Sequence, residues 1–314
     1  MSTKEEVFTY LVSNSNEYVS GEAIAAALGK SRAAVWKAMK SLQTEGYAID
    51  DVTHRGYRLN EENDILNAAI VRAKLKADVE VLYYPSIDST NNQAKRLVSD
   101  GARRTMLIIC DEQTNGRGRQ GKSFYSPALT GIYMSFVTHP MAPLKNAVTA
   151  TTAAAVAVCR AVERLTDKQP KIKWVNDVYL GDKKICGILT EAVTDFETQT
   201  VTSVIIGIGM NIKTIDFPAD VENAASLNAN VKRADLIAAI TDELYKINHS
   251  GYQDFISYYR SHSMIIGERI QFIQNNVVTP ATALAIDEKG GLVVETEKGE
   301  RLTLRSGEIS IRKR

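Results

Sequence analysis

The chain predicts an α+β multidomain fold: an N-terminal winged helix-turn-helix over residues 1–62, a mixed α/β domain over 63–266 and a small C-terminal β-barrel over 267–314. Three observations predict it. Residues 4–46 carry helical periodicity interrupted by capping serines and glycines. The middle of the chain mixes apolar strand runs with an alanine-rich helix. After Ile266 the texture changes to short β runs separated by glycine turns.

Val7, Phe8, Leu11 and Val12 recur at helical spacing in residues 4–13. Ser20 then caps a short helix of small residues, GEAIAAALG, that Gly29 ends. Ser31 caps a third helix in which Val35, Met39 and Leu42 recur three and four apart until Gly46 stops the run. Two helices joined by a tight glycine-bearing turn form a helix-turn-helix. Residues 47–59 alternate around a turn at His54–Gly56 and read as a β-hairpin wing, and Glu61, Glu62, Asn63 and Asp64 mark the boundary. The third helix carries Arg32, Lys37 and Lys40 beside Lys30, with no acid between positions 30 and 40. That charge suits docking against phosphate and the DNA major groove, so Ser31, Arg32, Lys37, Lys40 and, in the wing, Arg55 are the candidate DNA contacts.

In the central region 79–84, 105–110 and 132–137 read as strands and 145–165 as a helix without Pro or Gly. Residues 171–192 read as a hairpin turning at Gly181–Asp182, followed by the strand 202–209 and helices at 233–248 and 252–262. This order is not regular βαβ alternation.

Composition narrows the function. The 38 basic and 37 acidic residues leave a net charge of +1, which excludes a bulk polycation, so any nucleic-acid contact is a local patch. Three separated cysteines, Cys110, Cys159 and Cys186, form no CxxC pair and suggest neither a disulfide framework nor a zinc cluster. No signal peptide and no apolar run of about 18 residues is present, so a cytoplasmic protein is expected.

GRGRQGKS, from Gly116 to Ser123, has the spacing of a nucleotide triphosphatase P-loop. That motif needs a helix directly after its lysine, whereas FYSPALTGIYMSF follows here, with Pro127 and then a β run. What remains is a cationic loop with Arg117, Arg119 and Lys122 and no acid from Gln113 to Ser126. Its glycines let amides and guanidinium groups approach an anion closely. Three other segments keep it company. In DSTNNQAKRL, Asp88, Ser89, Thr90 and Asn91 open an amphipathic helix; Ser89 or Thr90 caps it, and the other hydroxyl is left for a small polar ligand. In KWVNDVYLGDKKICGI, Asn176 and Asp177 interrupt an apolar strand and Lys184 precedes Cys186 and Gly187, where unpartnered polar groups would be costly in a core. In GIGMN, Asn211 lies just past a buried strand beside Gly207 and Gly209, where backbone can lie against a flat ring.

In that order, with the run SRAAVWKAMKSL before them and a terminal GEIS, these segments closely resemble the family of bifunctional biotin protein ligases and biotin operon repressors. The likeness covers essentially the whole chain. It implies a class II synthetase-like ligase domain, an SH3-like C-terminal barrel, and biotin and ATP with Mg²⁺ as the small-molecule substrates. Biotin would be held by Ser89, Thr90, Asn91, Gln113, Gly116, Arg117, Gly118, Arg119, Lys184 and Gly187. The adenylate would meet Arg119, Lys122, Phe124, Asn176 and Asn211, with Arg117, Arg119, Lys184 and Asp177 as the catalytic set and no protein-bound metal. Phe124 departs from the best-known relatives, which have tryptophan there. It still stacks, but has no indole donor.

The implied reaction is formation of biotinyl-5'-AMP, then transfer of biotin to a lysine of the biotin carboxyl carrier protein of acetyl-CoA carboxylase. Neither step needs an enzyme nucleophile, which agrees with the absence of any Ser-His-Asp or Cys-His arrangement. The resemblance also implies repression of biotin synthesis and transport genes through operator DNA, by a homodimer formed on biotinyl-5'-AMP. The competing readings are a DNA-binding P-loop ATPase and a non-enzymatic ligand-sensing repressor.

Overall fold

The computed structural model describes residues 2–15, 17–60, 64–139, 147–195, 197–198, 200–221, 223–250, 253–274, 277–305 and 308–311. They fall into two compact units, one ending at Leu75 and the other starting at Lys76.

In the first unit every long helix starts on a serine. α1 (Thr3–Ser13) has a reciprocal cap between Ser2 and Glu5, α2 (Gly21–Leu28) is capped by Ser20 on the amide of Ala23, and α3 (Arg32–Thr44) by Ser31 on that of Ala34. Each cap satisfies an amide that the helix leaves unpaired. Gly29 ends α2 at φ 61°, a left-handed backbone that glycine adopts without strain. Val7, Phe8, Leu11, Ile24, Val35, Met39 and Leu42 form one apolar core. β1 (Ile49–Val52) and β2 (Gly56–Leu59) pair antiparallel from Ile49↔Leu59 to Val52↔Gly56, and Val19 exchanges two backbone hydrogen bonds with Tyr57 at the outer edge of this wing. A short helix, α4 (Ala68–Lys74), was not expected. Ala69 and Ile70 pack on the same core, so the compact unit continues past residue 62 to Leu75. Glu61, Glu62 and Asn63 of the expected boundary lie outside the described residues.

The second unit is built on a seven-stranded sheet ordered β3-β4-β5-β9-β8-β7-β6. β3 (Glu80–Ile87) and β4 (Met106–Gln113) are parallel. β5 (Gly131–Thr138), β9 (Val201–Asn211), β8 (Lys183–Thr194), β7 (Asp177–Leu180) and β6 (Lys171–Lys173) continue it antiparallel. β7 and β8 turn at Gly181–Asp182 as expected. β5 is buried along its whole length, so both faces of the sheet are covered. Ala94 and Val98 of α5 (Thr90–Ser99) pack on Met106, Ile108, Val137 and Ile205, while α6 (Ala147–Leu165) and α7 (Arg233–Ser250) also lie against the sheet, with α8 (Gln253–His262) beside α6. At the head of α7, Arg233 is buried and donates to Asp111 of β4 at 2.7 Å; the other Asp111 oxygen takes the Tyr83 hydroxyl at 2.6 Å. A buried charge needs such full pairing.

The C-terminal strands β10 (Arg269–Gln274), β11 (Val277–Ile286), β12 (Leu292–Thr296), β13 (Arg301–Leu304) and β14 (Glu308–Ile311) form a small antiparallel sheet ordered β13-β12-β11-β10-β14. Ile270, Phe272, Ala283, Leu292 and Val294 are its core. Trp174 donates its indole N–H to the Gly290 carbonyl at 2.9 Å, and Arg260 donates to that of Ile286 at 2.8 Å, which joins this sheet to the larger one.

Candidate functional site

The four segments meet at one cavity of about 290 Å³ over β8 and β9. Its floor is bare because glycines pair across the strands, Gly187 opposite Gly209 and Leu189 opposite Gly207. What glycine permits is specific at each place. A Cβ on Gly209 would lie 2.4 Å from the Phe124 ring, and one on Gly207 would lie 2.3 Å from Asn91 Oδ1. On Gly187 the nearest atoms are the end of the Lys184 side chain at 3.1 Å and the Phe124 ring at 3.4 Å. The flat ring expected against GIGMN is therefore supplied by the loop's own Phe124, which also meets Tyr133 edge-on at 6.5 Å.

The loop that roofs the cavity is a small hairpin, not a phosphate loop leading into a helix. Arg117 bridges to Ser123, Gly118 N–H donates to the Lys122 carbonyl at 2.7 Å, and Phe124 N–H donates to the Gly116 carbonyl at 2.9 Å. The short helical turn Arg119–Gly121 sits inside the loop, and the next element is β5. Gly116 does not line the cavity. Its backbone packs under the loop, where a Cβ would stand 2.3 Å from the Phe124 carbonyl oxygen.

One end of the cavity is polar and uncharged. Thr90 donates its backbone N–H to Gln113 Oε1 at 2.9 Å, and its hydroxyl lies 3.2 Å from the same oxygen. Gln113 Nε2 donates to Ser126 Oγ at 2.8 Å. Beneath them Ser135 places its hydroxyl 2.8 Å from Thr90 Oγ1 and 2.6 Å from Asn91 Oδ1. Asn91 Nδ2 donates to Glu191 Oε2 at 2.9 Å and to the Leu189 carbonyl at 3.2 Å. Capping differs from the expectation. Ser89 occupies the cap position of α5 with no side-chain cap bond, and the Thr90 hydroxyl is engaged by Gln113 and Ser135. The helix thus leaves its entry hydroxyls to the cavity wall.

The other end is cationic. Arg119 donates to Asn176 Oδ1 at 2.8 Å, Asn176 Nδ2 donates to Asp177 Oδ1 at 2.9 Å, and Asp177 Oδ1 takes the Lys184 ammonium at 2.8 Å. This string joins the loop to the β7–β8 hairpin. Among the described residues, Arg117, Arg119, Lys122, Lys173 and Lys184 line the cavity with one carboxylate, that of Asp177, so an anionic ligand gains from entering. Arg117 reaches away from Asp177, donating to Asn92 Oδ1 at 2.9 Å and pairing with Glu191 at 3.2 Å. Burial pushes the Glu191 carboxyl up, but hydrogen bonds from Lys95 and Asn91 outweigh it and hold the carboxyl below its ordinary value. Cys186, fully buried between these residues, has its thiol pushed up by burial and is no nucleophile.

Asn211 does not line the cavity. It is buried, with Nδ2 donating to the Ala225 carbonyl at 3.3 Å, and its Oδ1 is a buried acceptor that finds no hydrogen-bond partner among the described residues. Of the sequence candidates, Ser89, Thr90, Asn91, Gln113, Arg117, Gly118, Arg119, Lys122, Phe124, Asn176, Asp177, Lys184 and Gly187 all line the cavity. Sequence reasoning missed Lys173, Ser135 and Glu191. Lys173 stands one residue before Trp174 in KWVND; Ser135 and Glu191 sit in apolar strands, where only their polarity marks them.

In the N-terminal unit Ser31, Arg32, Lys37 and Lys40 are exposed on α3. Arg55 lies over the Tyr18 ring at 5.2 Å, at the wing turn.

Residues 83–211 match the Biotin/lipoate A/B protein ligase family, residues 4–58 an HTH domain and residues 265–312 the Biotin protein ligase C terminal domain. The chain is 34% identical to the bifunctional ligase/repressor BirA of Bacillus subtilis over 298 residues, covering 90% of this chain and 91% of that protein. It is 27% identical to the protein of that name from Escherichia coli, covering 94% of each. The structure of biotin protein ligase from Aquifex aeolicus in complex with biotin and ATP matches with a TM-score of 0.63 at 26% identity, over 75% of this chain and 99% of that one.

Proposed function

The chain belongs to the family of the bifunctional ligase/repressor BirA, and from that premise we propose that the cavity under the arginine loop is where its two substrates, biotin and ATP, are joined. The protein is a biotin protein ligase that also acts as a repressor. The biotin carboxylate attacks the α-phosphorus of ATP and pyrophosphate leaves; the amine of an acceptor lysine then attacks the acyl carbon and AMP leaves. Both steps bring anions together, so positioning and charge neutralisation are what the chain must supply.

The observation that carries the assignment is the division of the cavity. The neutral end, with Ser89, Thr90, Asn91 and Gln113, offers donors and acceptors to the uncharged ureido ring of biotin. The cationic end, where Arg119, Asn176, Asp177 and Lys184 form one hydrogen-bonded string, receives the carboxylate and the phosphates. In this reading Asp177 holds the Lys184 ammonium over Gly187, and Lys122 and Lys173 neutralise phosphate. Phe124 presents its ring to adenine, and the open acceptor of Asn211 takes the adenine amino group. Among the described residues no cluster of His, Cys, Asp or Glu is suited to hold a metal ion. Mg²⁺ would arrive with the ATP phosphates, to which it commonly binds.

The acceptor is a carrier-protein lysine, for which biotin carboxyl carrier protein is the candidate. Operator DNA is bound through α3 and the wing, by Ser31, Arg32, Lys37, Lys40 and Arg55, in a homodimer that forms on biotinyl-5'-AMP. Pyrophosphate release that requires biotin, followed by labelling of carrier-protein lysine, tests the ligase. Steady ATP hydrolysis without biotin would favour a P-loop ATPase, and ligand binding without transfer a sensor. Sedimentation with and without biotin plus ATP tests the dimer.

A further inference from the structure

One large apolar side chain on α3 is unused by the core. The helix buries Val35, Ala38, Met39 and Leu42, whereas Trp36 is 57% exposed. The chain's other tryptophan, Trp174, is buried with its N–H bonded. Arg32, Trp36 and Lys40 stand four residues apart and therefore form one row on the helix surface. From Arg32 to Lys40 the helix advances about 12 Å, and the major groove of B-DNA, roughly 12 Å wide, admits such a helix. The row has a cation at each end and the indole at its centre. Glu22 touches Arg32 only at 3.9 Å, with both side chains 76% exposed, and no acid occurs from Ala23 to Thr44.

We propose that Trp36 is a specificity-determining residue for DNA, packing an apolar face of its indole on a thymine 5-methyl group while Arg32 and Lys40 hold the phosphates on either side. Indole has one donor and no acceptor, so its discriminating asset in the groove is apolar area. Thymine alone presents a methyl group there. Phosphate contacts fix the register and carry no sequence information, which leaves reading to the residue between them.

The inference rests on the repressor reading, and the experiment separates the two. The full chain, with biotin, ATP and Mg²⁺, is used to enrich duplexes from a randomised library. Its affinity for an enriched duplex is then compared with that for a random-sequence duplex at fixed salt. Trp36→Ala is expected to lower this ratio by about tenfold or more, the scale of one lost base contact, and to leave random-duplex affinity within about twofold. Trp36→Phe keeps an apolar ring and retains more of the ratio. Lys40→Ala weakens binding to both duplexes and makes the salt dependence shallower. Replacing the contacted dT by dU costs the wild-type chain about two- to fivefold, from one buried methyl group, and costs Trp36→Ala nothing. Unchanged thermal unfolding of the variants shows that the fold is intact. A Trp36→Ala chain that keeps the full ratio, or that loses self-association instead, overturns the proposal. If the wild-type chain enriches no duplex, the DNA-binding reading falls and this inference with it.

Discussion

The N-terminal unit and the ligase cavity organise their functional residues in opposite ways. On α3 the cations Arg32, Lys37 and Lys40 project from a helix whose core face and Ser31 cap do not involve them. In the cavity, hardly a side chain stands alone: Arg119 holds Asn176, Asn176 holds Asp177, Asp177 holds Lys184, and Glu191 gathers Asn91, Lys95 and Arg117. The helix presents side chains to a partner that brings its own shape, whereas the cavity must be organised before its ligands arrive. Preorganised charge is what catalysis of this kind demands. Substitutions in the cavity should therefore spread through its network, and those on the helix should stay local.

Lys184→Ala gives the largest expected effect. It removes the ammonium over Gly187 and leaves Asp177 without its cation. Pyrophosphate release should fall by about 10²–10³-fold, the usual cost of losing one group that stabilises developing charge. With Lys184 about one third exposed, thermal unfolding should barely move. Normal pyrophosphate release would remove Lys184 from the catalytic set and break the contrast between the two regions.

Arg119→Gly comes next. The variant loses the loop's bond to Asn176 yet keeps Lys184 and Asp177, so it should still make the adenylate but release it about tenfold sooner, the scale of one charge-assisted hydrogen bond. Retention of labelled adenylate on the protein is the measurement, and retention equal to wild type would show that the loop does not seal the site.

The same contrast governs what the sequence displayed. The helices of the first unit were legible because each carries its own period and its own cap, and the wing because His54 and Gly56 supply positive φ where the hairpin turns, 66° and 99°. The segments of the cavity were legible as motifs because glycines and polar residues break apolar runs. Their partners were not. Ser135 lies in a strand that is buried at every position, so no alternation singles it out, and it meets Thr90 and Asn91 some 45 residues away in sequence. Glu191 looks like the solvated end of a strand until Asn91, Lys95 and Arg117 arrive from two other segments. Short α4 carried too little periodicity to be seen, and Gln113, which takes the Thr90 amide at the head of α5, is remote in sequence.

Glu191 supplies a smaller effect with a definite sign. Its folded carboxyl lies below the ordinary 4.5, so the stability it contributes is fully present above that value and is lost as pH falls through and below it. Because Glu191 also ties Arg117 and Asn91 to the cavity wall, biotin affinity should weaken over the same acid range. Glu191→Gln should show the weaker affinity already at neutral pH, with a flatter pH dependence below 4.5. Biotin titrations by calorimetry at several pH values would decide it, and parallel pH profiles for the two proteins would count against the role.

Ser20→Ala has the smallest expected effect and draws the comparison most sharply. Its hydroxyl accepts the Ala23 amide at 3.0 Å at the start of α2, within the N-terminal unit. Removing it should cost about 1 kcal/mol of stability in the N-terminal unit. The loss should appear as faster amide exchange in α2 and α3, because a local cap acts on the unit that contains it. Biotin-dependent pyrophosphate release should be unchanged. If that rate also falls, the two units share their stability, and the independence inferred from separate cores and local caps does not hold.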